Sequence, residues 1–199
     1  MNSIHISYLY AYLLKSGRPQ SLDHAQIITT GLVGDRDFAV IDDGGSMLTA
    51  REYPMLLEVE AKIMDDHIYF KCKGDFITVP RKTGSSKTRT GILFGQSVGG
   101  LELDDSIQKW FSKCMGVSCH VVEINAVYMR QMEGQSIDIT YTDAAPILLT
   151  SEASLRDLNN RMTLPVGMNR FRPNIVVNGG NAFEEDDWKS LKIGTCEFE

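Results

Sequence analysis

The sequence predicts a mainly β protein with a few helices, an α+β fold. Three observations carry this. Apolar and polar residues alternate with period two through the first eighty positions, Gly- and Asp-rich turns punctuate that alternation, and a single strong helical spacing precedes residue 125.

The elements follow in order. Ile4, Ile6 and Tyr8 alternate with His5 and Ser7 and predict a first strand. The apolar N-terminus lacks a basic leader and a small-residue cleavage site, so it reads as this strand and not as a signal peptide. Phe38-Ala39-Val40-Ile41 predicts a short buried strand, Asp42-Asp43-Gly44-Gly45 a hairpin turn, and Met47-Leu48-Thr49 its return strand. Leu56 to Ile63 alternates and pairs with Ile68 to Cys72, and Phe76 to Val79 adds a further strand. Such a succession of short strands predicts a barrel-like N-terminal domain.

Gly84 to Gly100 is rich in Gly, Ser and basic residues and predicts an exposed loop flanking one strand at Ile92 to Phe94. Ile107, Trp110, Phe111, Cys114 and Met115 then lie on one helical face. Asp105 with Gln108 suits its start and Gly116 its end. Cys119 to Ile124 predicts a strand. The polar stretch from Ala126 to Tyr141 reads as a linker, giving domains at 1–125 and 126–199. The second domain opens with a strand at Pro146 to Thr150 and a helix capped by Ser151. It continues with a strand led by Arg170 and Arg172, and closes with a strand from Leu191 to Phe198.

Composition narrows the function classes. The chain has 199 residues, 43% of them hydrophobic and 23% charged, which suits a folded soluble protein. Its 20 basic and 26 acidic residues give a net charge of −6. Basic residues pool only at Arg81-Lys82 and Lys87-Thr88-Arg89, so nucleic acid is not an expected partner. No apolar run is long enough to cross a bilayer as a helix, and no membrane partner is expected. Four cysteines without C-x-x-C spacing read as free thiols in a reducing cytoplasm, and no metal ligand is assigned.

Four stretches carry candidate chemistry, all suited to an anion. Lys15-Ser16-Gly17 offers a point charge, a hydroxyl and an accessible backbone, although such a turn is ordinarily only solvated. Asp35-Arg36 beside Gly31 and Gly34 can hold a rigid guanidinium; otherwise it is a surface ion pair of little worth. Arg172 before Pro173-Asn174 can present a planar fork. Thr150-Ser151 at a helix start offers unpaired N–H groups, or plain capping.

Two longer stretches bear a resemblance. Gly31 to Val40 (Gly-Leu-Val-Gly-Asp-Arg-Asp-Phe-Ala-Val), followed by Leu48-Thr49-Ala50-Arg51-Glu52-Tyr53-Pro54, resembles the N-terminal β-barrel domain of MOSC proteins. Asp143-Ala144-Ala145-Pro146-Ile147-Leu148-Leu149-Thr150-Ser151-Glu152-Ala153-Ser154-Leu155 resembles the start of the MOSC domain. Phe171-Arg172-Pro173-Asn174-Ile175-Val176-Val177 is its most specific signature. The similarity covers nearly the whole chain and is closest to members that reduce N-hydroxylated bases or amidoximes.

The resemblance implies a molybdenum cofactor, a phosphorylated pterin dithiolene, held by Lys15, Ser16, Arg36, Thr150, Ser151, Arg172 and Asn174 on one shared pocket. It implies reduction of N–O bonds in small N-hydroxylated substrates, with electrons from a donor protein or a fused iron–sulphur domain. Arg51 matches a family position as well. Two departures stand out. Leu13-Leu14 replaces the family's Pro-Val before Lys15-Ser16, and the family's Cys-x-Arg-Cys segment has no counterpart before Glu199. Cys196 lies ahead of that segment and is given no ligand role. The reading is therefore of an incomplete MOSC barrel, inactive by itself. Alternatives are a non-catalytic module for anion binding or assembly, and a barrel for a flavin phosphate.

Overall fold

The computed structural model describes residues 3–81 and 87–198. Lys82 and the Gly84-Ser85-Ser86 part of the predicted loop lie outside the described residues. Among the described residues the fold is mainly β with two α-helices, as the sequence predicts. The chain forms two compact units, each discontinuous: a larger one of residues 11–20 and 34–146, and a smaller one of residues 1–10, 21–33 and 147–199. Among the described residues no helix is long and apolar enough to cross a membrane.

In the larger unit, the strands Phe38–Asp42, Cys119–Glu123, Gln96–Glu102 and Thr88–Leu93 form a sheet in that order. Glu60–Met64, His67–Cys72 and Asp75–Pro80 form a three-stranded meander. Helix α1 (Asp105–Met115) buries Ile107, Trp110 and Phe111 against both sets of strand residues. Phe111 meets Phe70 edge-on at 5.0 Å, and Phe70 meets Phe38 at 6.1 Å, geometries that favour aromatic pairs beyond their buried area. Asp104, one residue before the predicted cap, accepts the Ser106 N–H, and Gly116 ends the helix at φ 71°.

Several predicted elements differ in this unit. Gln96–Glu102 is a strand where an exposed loop was expected. Its glycines mislead as loop markers; they mark close backbone approach. A Cβ on Gly100 would stand 2.3 Å from the Glu123 carbonyl oxygen and 2.5 Å from the Tyr141 hydroxyl. Met47 makes only an isolated bridge to Ile41, not a return strand. Pro54–Glu58 is a 3-10 turn, because proline presets its first φ, so the next strand begins only at Glu60. Residues 126–146, read as a linker and the start of a second domain, belong to this unit and bury Ile139 and Tyr141.

In the smaller unit, Leu149–Ser151 lies parallel to Ile175–Asn178, which pairs antiparallel with His5–Ala11; Gln20–Leu22 completes the sheet order. Helix α2 (Glu152–Asn160) follows directly from the first of these strands and buries Ala153. Met168–Arg170 is a 3-10 turn, so Arg170 and Arg172 precede the strand and do not join it. The predicted last strand is a hairpin, Leu191–Ile193 with Cys196–Phe198, turning at Gly194. Gly accepts the positive φ of 59° that this turn needs.

Candidate functional site

The larger unit holds Lys15, Ser16 and Arg36. A turn closed by Gly17 N–H to the Leu14 carbonyl (2.8 Å) carries Lys15 and Ser16. Beside it, the Lys15 N–H donates to the Phe38 carbonyl at 2.7 Å, tying the turn to the buried strand. The Lys15 side chain is only 7% exposed. Its ammonium donates to the Tyr141 carbonyl at 2.8 Å and to Asp143 Oδ1 at 2.6 Å. It also stands 5.7 Å from the Phe94 ring centroid. Burial pushes the Lys15 pKa down, Asp143 opposes this, and Arg130 and Arg36 push it down further. The Ser16 hydroxyl oxygen accepts the Ala50 N–H at 3.1 Å, which leaves its O–H as a donor.

Asp35 and Arg36 form the rigid pair the sequence suggests. Asp35 is 2% exposed, accepts the Tyr12 N–H at 2.8 Å and pairs with the Arg36 guanidinium. That guanidinium lies 4.2 Å from the Tyr12 ring centroid, so stack and carboxylate together fix the fork. The Arg36 N–H donates to the Tyr12 carbonyl at 2.7 Å, and Thr140 Oγ1 donates to the Asp35 carbonyl at 3.1 Å.

Three residues near these were not singled out for this role. Asp143 bonds Lys15. Its carboxyl lies below the usual range: partial desolvation raises it, but the Lys15 charge and hydrogen bond, with Arg36 and Arg51, outweigh that. Arg130 is buried and donates to the Thr142 carbonyl, to the Asp143 carbonyl at 3.4 Å and to the Gln96 side chain at 3.1 Å. Asp37 is held up at about 6, by burial first and by Glu123 and Asp35, against the pull of Arg81. Asp143 stands in a stretch that carried the resemblance. Arg130, in a polar Met- and Gln-rich stretch, has no local signal.

The smaller unit holds the other four candidates. Ser151 caps α2: its hydroxyl accepts the Ser154 N–H at 3.0 Å. The Ser151 N–H donates to Glu185 Oε1 at 3.1 Å, and the Ser154 hydroxyl donates to the same oxygen at 2.6 Å. A carboxylate of the chain itself thus sits where a helix start favours negative charge. Thr150 Oγ1 donates to the Met168 sulphur at 3.2 Å. Asn174, 1% exposed, joins two strands: its Oδ1 accepts the Leu148 N–H at 3.1 Å and its Nδ2 donates to the Tyr10 carbonyl at 3.2 Å. Arg172 follows the 3-10 turn with φ 56°.

That positive φ is shared. Ser16 at 63°, Arg36 at 53° and Arg172 at 56° occupy the left-handed region, which costs a non-Gly residue free energy; Asp65, Lys73, Phe94 and Phe183 occupy it as well. Among the described residues no group of three His, Cys, Asp or Glu side chains could hold a metal ion, and Cys196 lies within the terminal hairpin. An apolar cleft of about 430 Å3 in the smaller unit, between Ile4, Ile6, Val177, Trp188 and Leu191, is lined by none of the seven candidates.

Comparison with known proteins shows the family. Residues 3–118 match the MOSC N-terminal beta barrel domain and residues 136–199 match the MOSC domain. Mitochondrial amidoxime reducing component 2 of Bos taurus is 34% identical over 207 residues, covering 97% of this chain and 62% of its own length. Mitochondrial amidoxime-reducing component 1 of Mus musculus is 30% identical, with 97% and 61% covered. The molybdenum cofactor sulfurase of Oryza sativa subsp. japonica is 28% identical over the whole chain and 27% of its own length. The chain therefore spans about three-fifths of the amidoxime-reducing relatives. It belongs to the MOSC family, in the branch that joins a MOSC N-terminal β-barrel domain to a MOSC domain.

Proposed function

We propose that this chain binds a molybdenum cofactor and forms the cofactor-holding part of a reductase that cleaves N–O bonds in small N-hydroxylated substrates. Electrons would come from a donor protein or a fused iron–sulphur domain. The relatives named for amidoxime reduction and for cofactor sulfuration support this class of chemistry.

One observation carries the reading. Four cations, Lys15, Arg36, Arg51 and Arg130, bear electrostatically on the carboxylate of Asp143, and Asp35, paired with Arg36, is the second carboxylate among them. In a chain of net charge −6, such a local positive surplus calls for an anion, and a phosphorylated cofactor provides one. Ser16, Arg36 and Arg172, held in the left-handed region, are the positions the family motif assigns to that anion.

The donor set suits the organic part of the group. Lys15 and Arg36 would neutralise its charge, and Arg172 would grip the phosphate with a planar fork. Ser16 and Thr150 would donate hydroxyls, Ser151 a helix start, and Asn174 a rigid seat. The cofactor, when bound, supplies the two-electron redox step. This chain's residues bind it, balance its charge and fix its orientation.

The test is metal analysis and pterin fluorescence on protein made in a host that synthesises the cofactor. Lys15→Ala and Arg172→Ala are each expected to lower molybdenum and pterin content about tenfold, the loss of one charge-assisted hydrogen bond. Unchanged content in both variants would overturn the site assignment. Wild-type protein that binds phosphate but carries neither pterin nor metal would mark an anion-binding module instead.

A further inference from the structure

The Lys15–Asp143 pair is lopsided in a way that the proposed function does not explain. Lys15 is 7% exposed on its side chain, whereas Asp143 is 67% exposed. A buried ammonium needs a permanent negative partner, because desolvation without one is costly. The Asp143 carboxylate is only partly desolvated, and water reaches most of it. The partner that leaves at the lower cost is therefore Asp143.

The backbone around Asp143 is secured independently of its carboxylate. Arg130 donates to the carbonyls of Thr142 and Asp143, and Gln96 holds the other arm of that guanidinium. Tyr141, just before, is locked by its hydroxyl to the Gly99 carbonyl at 2.6 Å. The Tyr141 carbonyl stays on Lys15 whatever the carboxylate does. Swinging the Asp143 side chain outward therefore requires one rotamer change and no loop rearrangement. Lys15, by contrast, is buried and held by the Tyr141 carbonyl.

We propose that Asp143 is a resident counter-anion: it occupies Lys15 in the empty protein and is displaced by the incoming phosphate-like dianion, so that it sets a charge threshold for ligand entry. A monoanion only exchanges one carboxylate-like partner for another and gains little. A dianion also draws on Arg36 and Arg51, which act on the same spot. Asp143 thereby selects for charge, and Arg130 is a positioning residue that keeps the exchange local. This rests on the anion-binding reading of Lys15 and deepens it.

The experiment titrates the chain with inorganic phosphate and, separately, with acetate, following the Asp143 13Cγ and Lys15 15Nζ resonances by NMR. Phosphate is expected to move the Asp143 carboxylate to the position of a free one while Lys15 keeps an anion-bonded signal. Asp143→Asn should bind phosphate at least about fivefold more tightly than wild type, the low end of ordinary site-to-site coupling, and should gain more for acetate than for phosphate. In a Lys15→Ala background, Asp143→Asn should change neither affinity, a cycle that separates competition from loss of folding. If Asp143→Asn binds phosphate equally or less tightly, the carboxylate positions Lys15 and does not compete, and the proposal fails while the anion site stands. If Lys15→Ala binds phosphate as tightly as wild type, the anion reading itself fails.

Discussion

The two compact units offer anion donors by different physical means. In the larger one, two of the three candidates are cations, and each of those is held by a carboxylate: Lys15 by Asp143, Arg36 by Asp35. In the smaller one, three of the four candidates are neutral and built into the frame. Ser151 caps a helix, Thr150 sits in a strand, and Asn174 spans two strands with its amide. A buried charge must be compensated wherever it stands, so cationic donors require acidic neighbours. A neutral donor costs less to bury and can serve structure and ligand at once.

That contrast can be broken or sharpened by substitution. The largest effect is expected at Asp35. Asp35→Ala removes the Arg36 partner and the acceptor of the Tyr12 N–H, and should cost about 3–5 kcal/mol of stability in denaturant unfolding. A loss below about 1 kcal/mol would place Arg36 among ordinary surface ion pairs and dissolve the contrast. Next is Asn174→Ala, which strands the Leu148 N–H and the Tyr10 carbonyl and should cost about 3 kcal/mol. Hydrogen exchange at the Leu148 amide should accelerate; unchanged protection would deny Asn174 its framing role.

The smallest effect concerns Asp37, held at about 6 chiefly by burial. Its folded pKa exceeds its unfolded one, so the folded state binds the extra proton. That stabilisation is present at low pH and is lost as pH rises through about 6. Asp37→Asn keeps the group neutral. Relative to wild type, the variant should gain on the order of 2 kcal/mol between pH 4 and pH 8. A stability difference that stays flat across that range would show that the Asp37 carboxylate is not desolvated.

Much of this was legible along the chain, for identifiable reasons. Helix α1 announced itself because Ile107, Trp110 and Phe111 repeat at helical spacing, and a packed face follows from that period. The meander from Glu60 to Pro80 followed from alternation and tight turns. Gln96–Glu102 was obscured because Gly99 and Gly100 look like loop residues, yet they exist to admit Arg89, Tyr128, Glu123 and Tyr141 at close range. The seven candidate ligands came from motif and residue type. Their partners did not, since Asp143 meets Lys15 across 128 positions and Glu185 meets Ser151 across 34.

The sequence by itself determined the strand-rich architecture, the helical faces, the MOSC resemblance and the residue types available to an anion. Those depend on local periodicity and on short ordered motifs, which linear reading captures. Only the tertiary structure decided that Lys15 is buried while Asp143 is not, and that Arg130 holds the segment joining them. Burial and pairing arise from contacts between distant parts of the chain, and desolvation, which sets the cost of every charge here, does not exist until those contacts form.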